Sequence, residues 1–239
     1  MSGQSIGRYA LYYTPVPEHP LNQAAAHWLG RDVFGRDATV ADARLNGEAL
    51  LIAEPRRYGF HATLKAPFHL APGTSRQELE SAIRSFAASQ RPCPIGPMRI
   101  IRLGGFFALM PRETTPFLRS FASRVVTEFD RFRAQMTPED LQRQLSAPLD
   151  EAEMTHLVQW GYPYVHDRFR FHMTLTGKVK AEDHGSVAQQ LERLFAPLLD
   201  EDFQIDAITL FEQENTECDF FAVSRFEFQR SRGGGLSNA

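Results

Sequence analysis

Phe60-His61-Ala62-Thr63-Leu64 and Phe171-His172-Met173-Thr174-Leu175 are two copies of one five-residue phrase, and their reading decides the fold. Each alternates apolar with polar side chains, the period of a strand with one face in a core and the other in a cleft. Phe60, Ala62 and Leu64 point inward together, as do Phe171, Met173 and Leu175. His61, Thr63 and Lys65 share the opposite face, and Arg170, His172, Thr174 and Thr176 share theirs. The chain thus offers two matching strands, 111 residues apart, each presenting an imidazole with a hydroxyl two residues on. One His-x-Thr means little, because a lone histidine on a strand is more often a hydrogen-bonded structural residue than a catalyst. Two of them supply what acid and base chemistry near neutral pH requires.

The residues downstream of each copy match as well. Copy one is followed by a helix, then Met98-Arg99-Ile100-Ile101-Arg102 and Phe106-Phe107-Ala108-Leu109. Copy two is followed by a helix, then Asp206-Ala207-Ile208-Thr209-Leu210 and Phe220-Phe221-Ala222-Val223. His61 precedes Phe106 by 45 residues and His172 precedes Phe220 by 48, so the register survives a whole supersecondary unit. A duplication of that size implies two similar lobes. The expected organisation is a single bilobal domain over residues 1–230 and a flexible tail at 231–239. Within the domain the first repeat spans about 56–111, a helical insertion about 113–160 and the second repeat about 168–229.

The doubled phrase resembles the two-histidine phosphoesterases, which include the cyclic phosphodiesterases of tRNA processing and the 2′-5′ RNA ligase-like proteins. More narrowly, Tyr58 through Phe68, Trp160-Gly161-Tyr162-Pro163-Tyr164-Val165 and Phe171 through Gly177 look like a bacterial branch of that group associated with phosphonate metabolism. The resemblance runs from the first strand to about Phe228. It implies an α+β fold of two pseudo-symmetric lobes, each an antiparallel sheet with outer helices, about a central cleft, here with a helical insertion. It also implies that the two motif strands meet in that cleft. Periodicity alone supplies only the shared face within each strand.

Composition narrows the function. With 239 residues and 43% hydrophobic side chains, the chain can bury a core without metals or disulfides. Cys93 and Cys218 make no disulfide framework and have no metal-ligand spacing, which suits a reducing compartment. No stretch reaches the ~18 uninterrupted apolar residues of a membrane helix, and residues 1–20 contain no secretory pattern. A cytoplasmic protein with no membrane partner is therefore expected. The net charge of −3 argues against a broad basic face for duplex nucleic acid. A small phosphorylated ligand or a nucleotide end in a local basic pocket is compatible with it, and protein partners are left open.

Around the motifs, residues 8–14 alternate as a first strand, Tyr9, Leu11 and Tyr13 against Ala10, Tyr12 and Thr14, and its aromatics read as packing. A helix is expected over about 21–31, loops with one short element over 32–57, and a capped helix from Ser75-Arg76-Gln77-Glu78 to Ala87. Gly104-Gly105 separates two strands of a hairpin. In the insertion, Leu118, Phe121, Val125, Phe129 and Phe132 step at helical spacing. Thr137-Pro138 starts a second helix there, and Asp150 with Glu153 a third. These helices brace one lobe or rim the cleft. Trp160 through Tyr164 reads either as a buried loop or as a stacking platform for a base or sugar.

The expected catalytic set is His61, Thr63, His172 and Thr174, with no cofactor and no metal. One imidazole takes a proton from water, the other donates one to a departing ribose oxygen, and the threonines hold the non-bridging oxygens of a phosphodiester. Which histidine does which stays open. Expected substrate contacts are Lys65 on His61's face, Arg170 on His172's face, Arg168 beside it, and Tyr58, Tyr162 and Tyr164. The expected reaction opens a small cyclic phosphate, either a 2′,3′-cyclic nucleotide or phosphoribosyl 1,2-cyclic phosphate. One alternative is hydrolysis of an RNA-end cyclic phosphate or 2′-5′ RNA ligation, with Arg56, Arg57, Arg168 and Arg170 as a basic rim. Another is a non-catalytic nucleotide- or phosphate-binding module, which has no need of a matched proton donor and acceptor. A metal hydrolase would draw on His156, His166 and His172, which lack zinc-like spacing.

Overall fold

The computed structural model describes residues 7–35, 48–145 and 148–229. The tail expected at 231–239 and the 36–47 part of the expected loop region lie outside them. The first half runs β1 (Arg8–Tyr13), α1 (Pro20–Leu29), α2 (Glu48–Tyr58), β2 (Ala62–Phe68), α3 (Arg76–Ala87), β3 (Cys93–Pro94), β4 (Met98–Leu103) and β5 (Phe106–Pro111). The second half runs α4 (Pro116–Phe129), α5 (Pro138–Gln144), α6 (Glu151–Trp160), β6 (Met173–Thr174), α7 (His184–Phe195), β7 (Gln204–Ile205), β8 (Ala207–Gln213) and β9 (Phe221–Glu227).

Seven strands form one sheet in the order β4-β5-β6-β2-β1-β8-β9, and β3 pairs with β7 separately. Every pairing is antiparallel. The class is the expected α+β one, but the pairing crosses the duplication. β6, from the second copy of the phrase, pairs with β5 of the first repeat's hairpin, Ala108 opposite Thr174. β2, from the first copy, lies beside β1, and β1 lies beside β8 of the second repeat's hairpin. Each motif strand therefore completes the other repeat's half of the sheet, and the halves meet where Ala62 pairs with Met173. Sequence periodicity is blind to this exchange because it reports faces and not partners.

Phe60, Ala62, Leu64, Phe171, Met173 and Leu175 are all buried in one core, together with the apolar faces of α3, α4 and α7. α3 begins with a reciprocal cap: Ser75 Oγ accepts from the Glu78 N–H, and Glu78 Oε2 accepts from the Ser75 N–H at 2.7 Å. α4 begins at Thr115, whose hydroxyl accepts from the Leu118 N–H, with Pro116 next. Its buried stripe of Leu118, Phe121, Val125 and Phe129 packs over β2. Truncating Phe129 to alanine there would cost about 3–5 kcal/mol. A smaller apolar cluster of Ala10, Tyr12, Val33, Phe211 and Phe220 occupies the opposite face of β1, which is the face of the cleft.

Two local departures bear on the site. The 32–57 region, expected as loops, contains α2, whose last turn carries Arg56 and Arg57. An internal Pro55 and the lack of a clean apolar stripe hide that helix from a periodicity argument. The second departure is in β2, where Tyr12 opposes Thr63 but Leu11 opposes Lys65. The strand takes up one extra residue there, a β-bulge, which turns Lys65 off the cleft face and onto the core face that Leu11 occupies. Lys65 is 3% exposed, and its Nζ donates to Asp130 Oδ1 at 2.9 Å at the end of α4. The expectation that Lys65 shares His61's face fails for that reason. β6 leaves regular pairing equally early, since the Phe107 carbonyl accepts from both Leu175 and Thr176 N–H groups. The Thr176 hydroxyl takes the Phe107 N–H at 2.9 Å and donates to the Gly177 carbonyl at 2.8 Å, so Thr176 too is buried in backbone contacts.

Candidate active site

The turn before β2 sets His61. Gly59 has φ 76°, and a Cβ built on it would lie 2.0 Å from Val33 Cγ1, so only glycine fits. Its carbonyl accepts from His61 Nδ1 at 2.9 Å. In the second copy the Arg170 carbonyl accepts from His172 Nδ1 at 2.8 Å. A carbonyl has no proton to give, so Nδ1 carries it in both rings, and each neutral imidazole presents a free lone pair on Nε2. Thr63 Oγ1 lies 3.3 Å from His61 Nε2.

His61, Thr63, His172 and Thr174 all line one cavity of about 270 Å³, and Tyr58 and Tyr162 line it with them. The geometry thus brings the four expected catalytic side chains together. Arg168, Arg170 and Tyr164 border a neighbouring cavity of about 620 Å³, which shares Thr63, Ala66, Tyr162 and His172 with the first. Arg168 Nη2 is occupied by Asp150 at 2.8 Å, whereas Arg170 is exposed. Lys65, Arg56 and Arg57 line neither cavity, and Arg56 pairs with Asp219 at 3.4 Å. His156 and His166 also line neither. They meet edge-on at 5.6 Å, with Asp167 3.2 Å from His156 Nε2. Among the described residues no three His, Cys, Asp or Glu side chains are grouped as a metal site.

The two imidazoles sit in unequal surroundings. His61 stacks on Tyr12 with ring centroids 3.8 Å apart and planes 22° from parallel, and Phe211 and Tyr58 stand at 6.2 and 6.3 Å. Burial pushes its pKa down to about 4, against the Gly59 carbonyl, and charge on His172 pushes the same way. His172 has Phe106 at 6.2 Å, and burial lowers its pKa from 6.5 against the Arg170 carbonyl. The rings are therefore close enough for a proton on one to disfavour a proton on the other.

Three contributors escape a reading of the sequence. Tyr12 and Arg8 share a face of β1, but nothing local says that this strand lies beside the first motif. Arg31 donates through Nη1 to the Arg56 and Arg57 carbonyls, at 2.5 and 3.3 Å, and through Nη2 to the Phe220 carbonyl. It thereby ties the end of α2, and the Gly59 turn after it, to the start of β9.

A family profile described as "Protein of unknown function (DUF1045)" matches residues 63–221. The chain belongs to this family. Beyond the DUF1045 match, the chain is 35% identical over 237 residues to a "Ribose 1,5-bisphosphate phosphokinase PhnN" of Janthinobacterium sp. (strain Marseille), covering 95% of this chain and 52% of that protein. A protein of the same name from Laribacter hongkongensis (strain HLHK9) is 35% identical over 178 residues, 74% of this chain and 41% of the relative. The chain spans about half the length of the curated relatives it matches, or less. Similar solved structures include one described as a phosphoesterase, at 12% identity and TM-score 0.45, covering 94% of this chain and 99% of that one. Another is E. coli LigT complexed with 3′-AMP, at 12% identity and TM-score 0.44, covering 95% and 99%.

Proposed function

We propose that this chain is a metal-independent phosphodiesterase that opens a small cyclic phosphate on a ribose or nucleoside, with His61 as its base and His172 as its acid. The observation that carries the reading is the matched pair of imidazoles, each with Nδ1 tied to the carbonyl two residues back, lining one cavity with two threonines. In hydrolysis, His61 Nε2 accepts a proton from a water whose oxygen bonds to phosphorus. The bond from phosphorus to a ribose oxygen breaks, and His172 Nε2–H protonates that oxygen, which stays on the same sugar. The product is a phosphate monoester, and exchange with solvent resets both rings. Thr63 and Thr174 donate to the non-bridging oxygens. Each proton transfer contributes on the order of 10²–10⁴ in rate.

The roles follow from the surroundings. Burial against Tyr12 keeps His61 neutral, the form a base needs, while an anionic phosphate beside His172 favours its protonated form. The name of the curated relatives describes a phosphokinase acting on ribose 1,5-bisphosphate. This chain has no Gly-x-x-x-x-Gly-Lys-Ser/Thr phosphate loop, so the kinase activity is not carried over, but a phosphorylated ribose fits the proposed substrate class and an association with phosphonate metabolism. A second reading, an RNA-end cyclic phosphodiesterase or 2′-5′ RNA ligase, draws support from the neighbouring cavity. There Tyr162 and Tyr164 pack edge-on at 5.5 Å in a wall shared with Arg168 and Arg170, which suits a base and its backbone.

The test is turnover of 2′,3′-cyclic AMP, phosphoribosyl 1,2-cyclic phosphate and RNA with a cyclic end, in chelator. Turnover of one of the first two is expected, indifferent to chelator. The kcat/KM optimum should lie between about 4 and 6.5, because below it His61 is protonated and above it free His172 has lost its proton. Activity that vanishes in chelator and returns only with a divalent ion rejects the proposal. Turnover confined to RNA ends selects the second reading, and binding of all three without product leaves a non-catalytic module.

A further inference from the structure

Arg8 opens β1 and lines the cavity that holds both histidines. It is only 9% exposed, and its Nε and Nη2 both donate to Gln213 Oε1, at 2.9 and 2.5 Å. Gln213 is its cross-strand partner on β8 and is neutral. Phe220 lies against the guanidinium at 5.5 Å. Among the described residues no carboxylate forms an ion pair with Arg8, although buried charges are normally paired and a guanidinium cannot shed its proton to escape the cost. Gln213 takes two of its N–H groups, which leaves the Nη1 side for a ligand.

The same cavity carries Arg143 and His69, and Arg143's charge acts on Arg8. Arg143 is half-exposed and shares Asp140 with His69, at 3.2 and 3.9 Å. The lining carries Arg8, Arg133 and Arg143 against Glu54 and Asp140, and Arg133 is held by Asp130 at 2.8 Å and Arg143 by Asp140 at 3.2 Å. The proton transfers use none of these groups. The cavity, at about 270 Å³, is at the small end of ligand clefts (~300–1,000 Å³), which suits a compact polyanion better than a polynucleotide.

We infer that this part of the cavity binds a second anionic group of the substrate, a phosphate monoester remote from the reacting diester, with Arg8 as its inner donor and Arg143 as its outer one. The inference rests on the phosphodiesterase reading for the reacting group and adds the substrate class: a sugar or nucleoside bearing a cyclic phosphate and a terminal phosphate together. The competing account makes Arg8 and Gln213 a bracket between β1 and β8 and nothing more.

Kinetics with 2′,3′-cyclic AMP and with the same nucleotide carrying an added 5′-phosphate separate the two accounts. Wild-type protein is expected to prefer the 5′-phosphorylated compound by tenfold or more in kcat/KM. Arg8→Gln should erase that preference, chiefly by raising KM for the 5′-phosphorylated compound about 10- to 100-fold, the range of a lost charge-assisted hydrogen bond. Arg143→Gln, at a half-exposed position that folding tolerates, should reduce the preference by about threefold, and it carries the comparison if Arg8→Gln does not fold. Equal losses on both compounds, or no preference in the wild type, overturn the inference and leave the bracket. If neither compound turns over, nor phosphoribosyl 1,2-cyclic phosphate, the phosphodiesterase reading fails; whenever the two nucleotides are inert, calorimetry of AMP against adenosine decides the inference alone. AMP binding at least tenfold tighter than adenosine, with the difference lost in Arg8→Gln, supports it, and equal binding overturns it.

Discussion

The two walls of the cleft carry the same His-x-Thr phrase and the same carbonyl tie, yet they hold their imidazoles differently. Around His61, β1 lies between the motif strand and the hairpin that completes its half of the sheet, and Tyr12 on β1 stacks on the ring. Around His172, β6 pairs directly with β5, and among the described residues the ring's aromatic neighbour is Phe106 at 6.2 Å, on a wall shared by two cavities. The difference separates two sources of function. What is duplicated supplies two equivalently tied imidazoles, and the strand that is not duplicated makes their surroundings unequal.

The largest effect that can break this comparison is loss of either ring. His61→Ala and His172→Ala should each lower turnover of a cyclic phosphate by on the order of 10²-fold or more. On a 4-nitrophenyl phosphodiester, whose leaving group needs no proton, His172→Ala should regain most of its loss and His61→Ala should not. Equal rescue of both would dissolve the assignment of base and acid.

A smaller effect compares the residues two places before each histidine. Gly59→Ala must move Val33 or the turn, so the His61 tie is expected to shift, with about tenfold loss of kcat and about 1–3 kcal/mol of stability in a denaturant melt. Arg170→Ala keeps its carbonyl, and because the side chain lies toward the neighbouring cavity, kcat/KM should change by about threefold or less. A larger loss for Arg170→Ala than for Gly59→Ala would reverse the order and put the guanidinium at the chemistry.

The smallest effect at neutral pH is that of Tyr12→Leu. Loosening the packing on His61 lets water reach the ring, so its pKa should rise from about 4 toward 6.5. A base with a higher pKa is protonated at higher pH, so the acid limb of the kcat/KM profile should move upward while the rate at pH 7 changes by about twofold. An unmoved limb would show that Tyr12 does not set the base.

What the sequence disclosed was local. The faces of the two phrases, the caps at Ser75 and Asp150, the Thr137-Pro138 helix start and the Gly104-Gly105 hairpin are all written within a few residues of themselves. Lys65 departs from its expected face because one bulge residue between it and Thr63 inverts the side chains up to the next register shift before Phe68, and alternation cannot register such an insertion. Strand parity puts Arg170 on His172's face with Arg168 beside it, and both line the adjoining cavity, whose wall also includes His172 and Thr63. Arg8 and Tyr12 were invisible as site residues because their neighbours, Gln213 and His61, are supplied by sheet order and not by spacing along the chain.

The placement of β1 also orders events in time. Its hydrogen-bonded neighbours are β2 and β8, and Arg8 is 205 residues from its partner Gln213. At ~5–20 residues per second, a ribosome takes about 10–40 s to deliver β8 after β1. Through that interval the β1 edge of the β1–β2 ribbon stays unpaired, open to wrong partners and costly to close across so long a loop. The half of the cleft that tunes His61 is consequently the half assembled last.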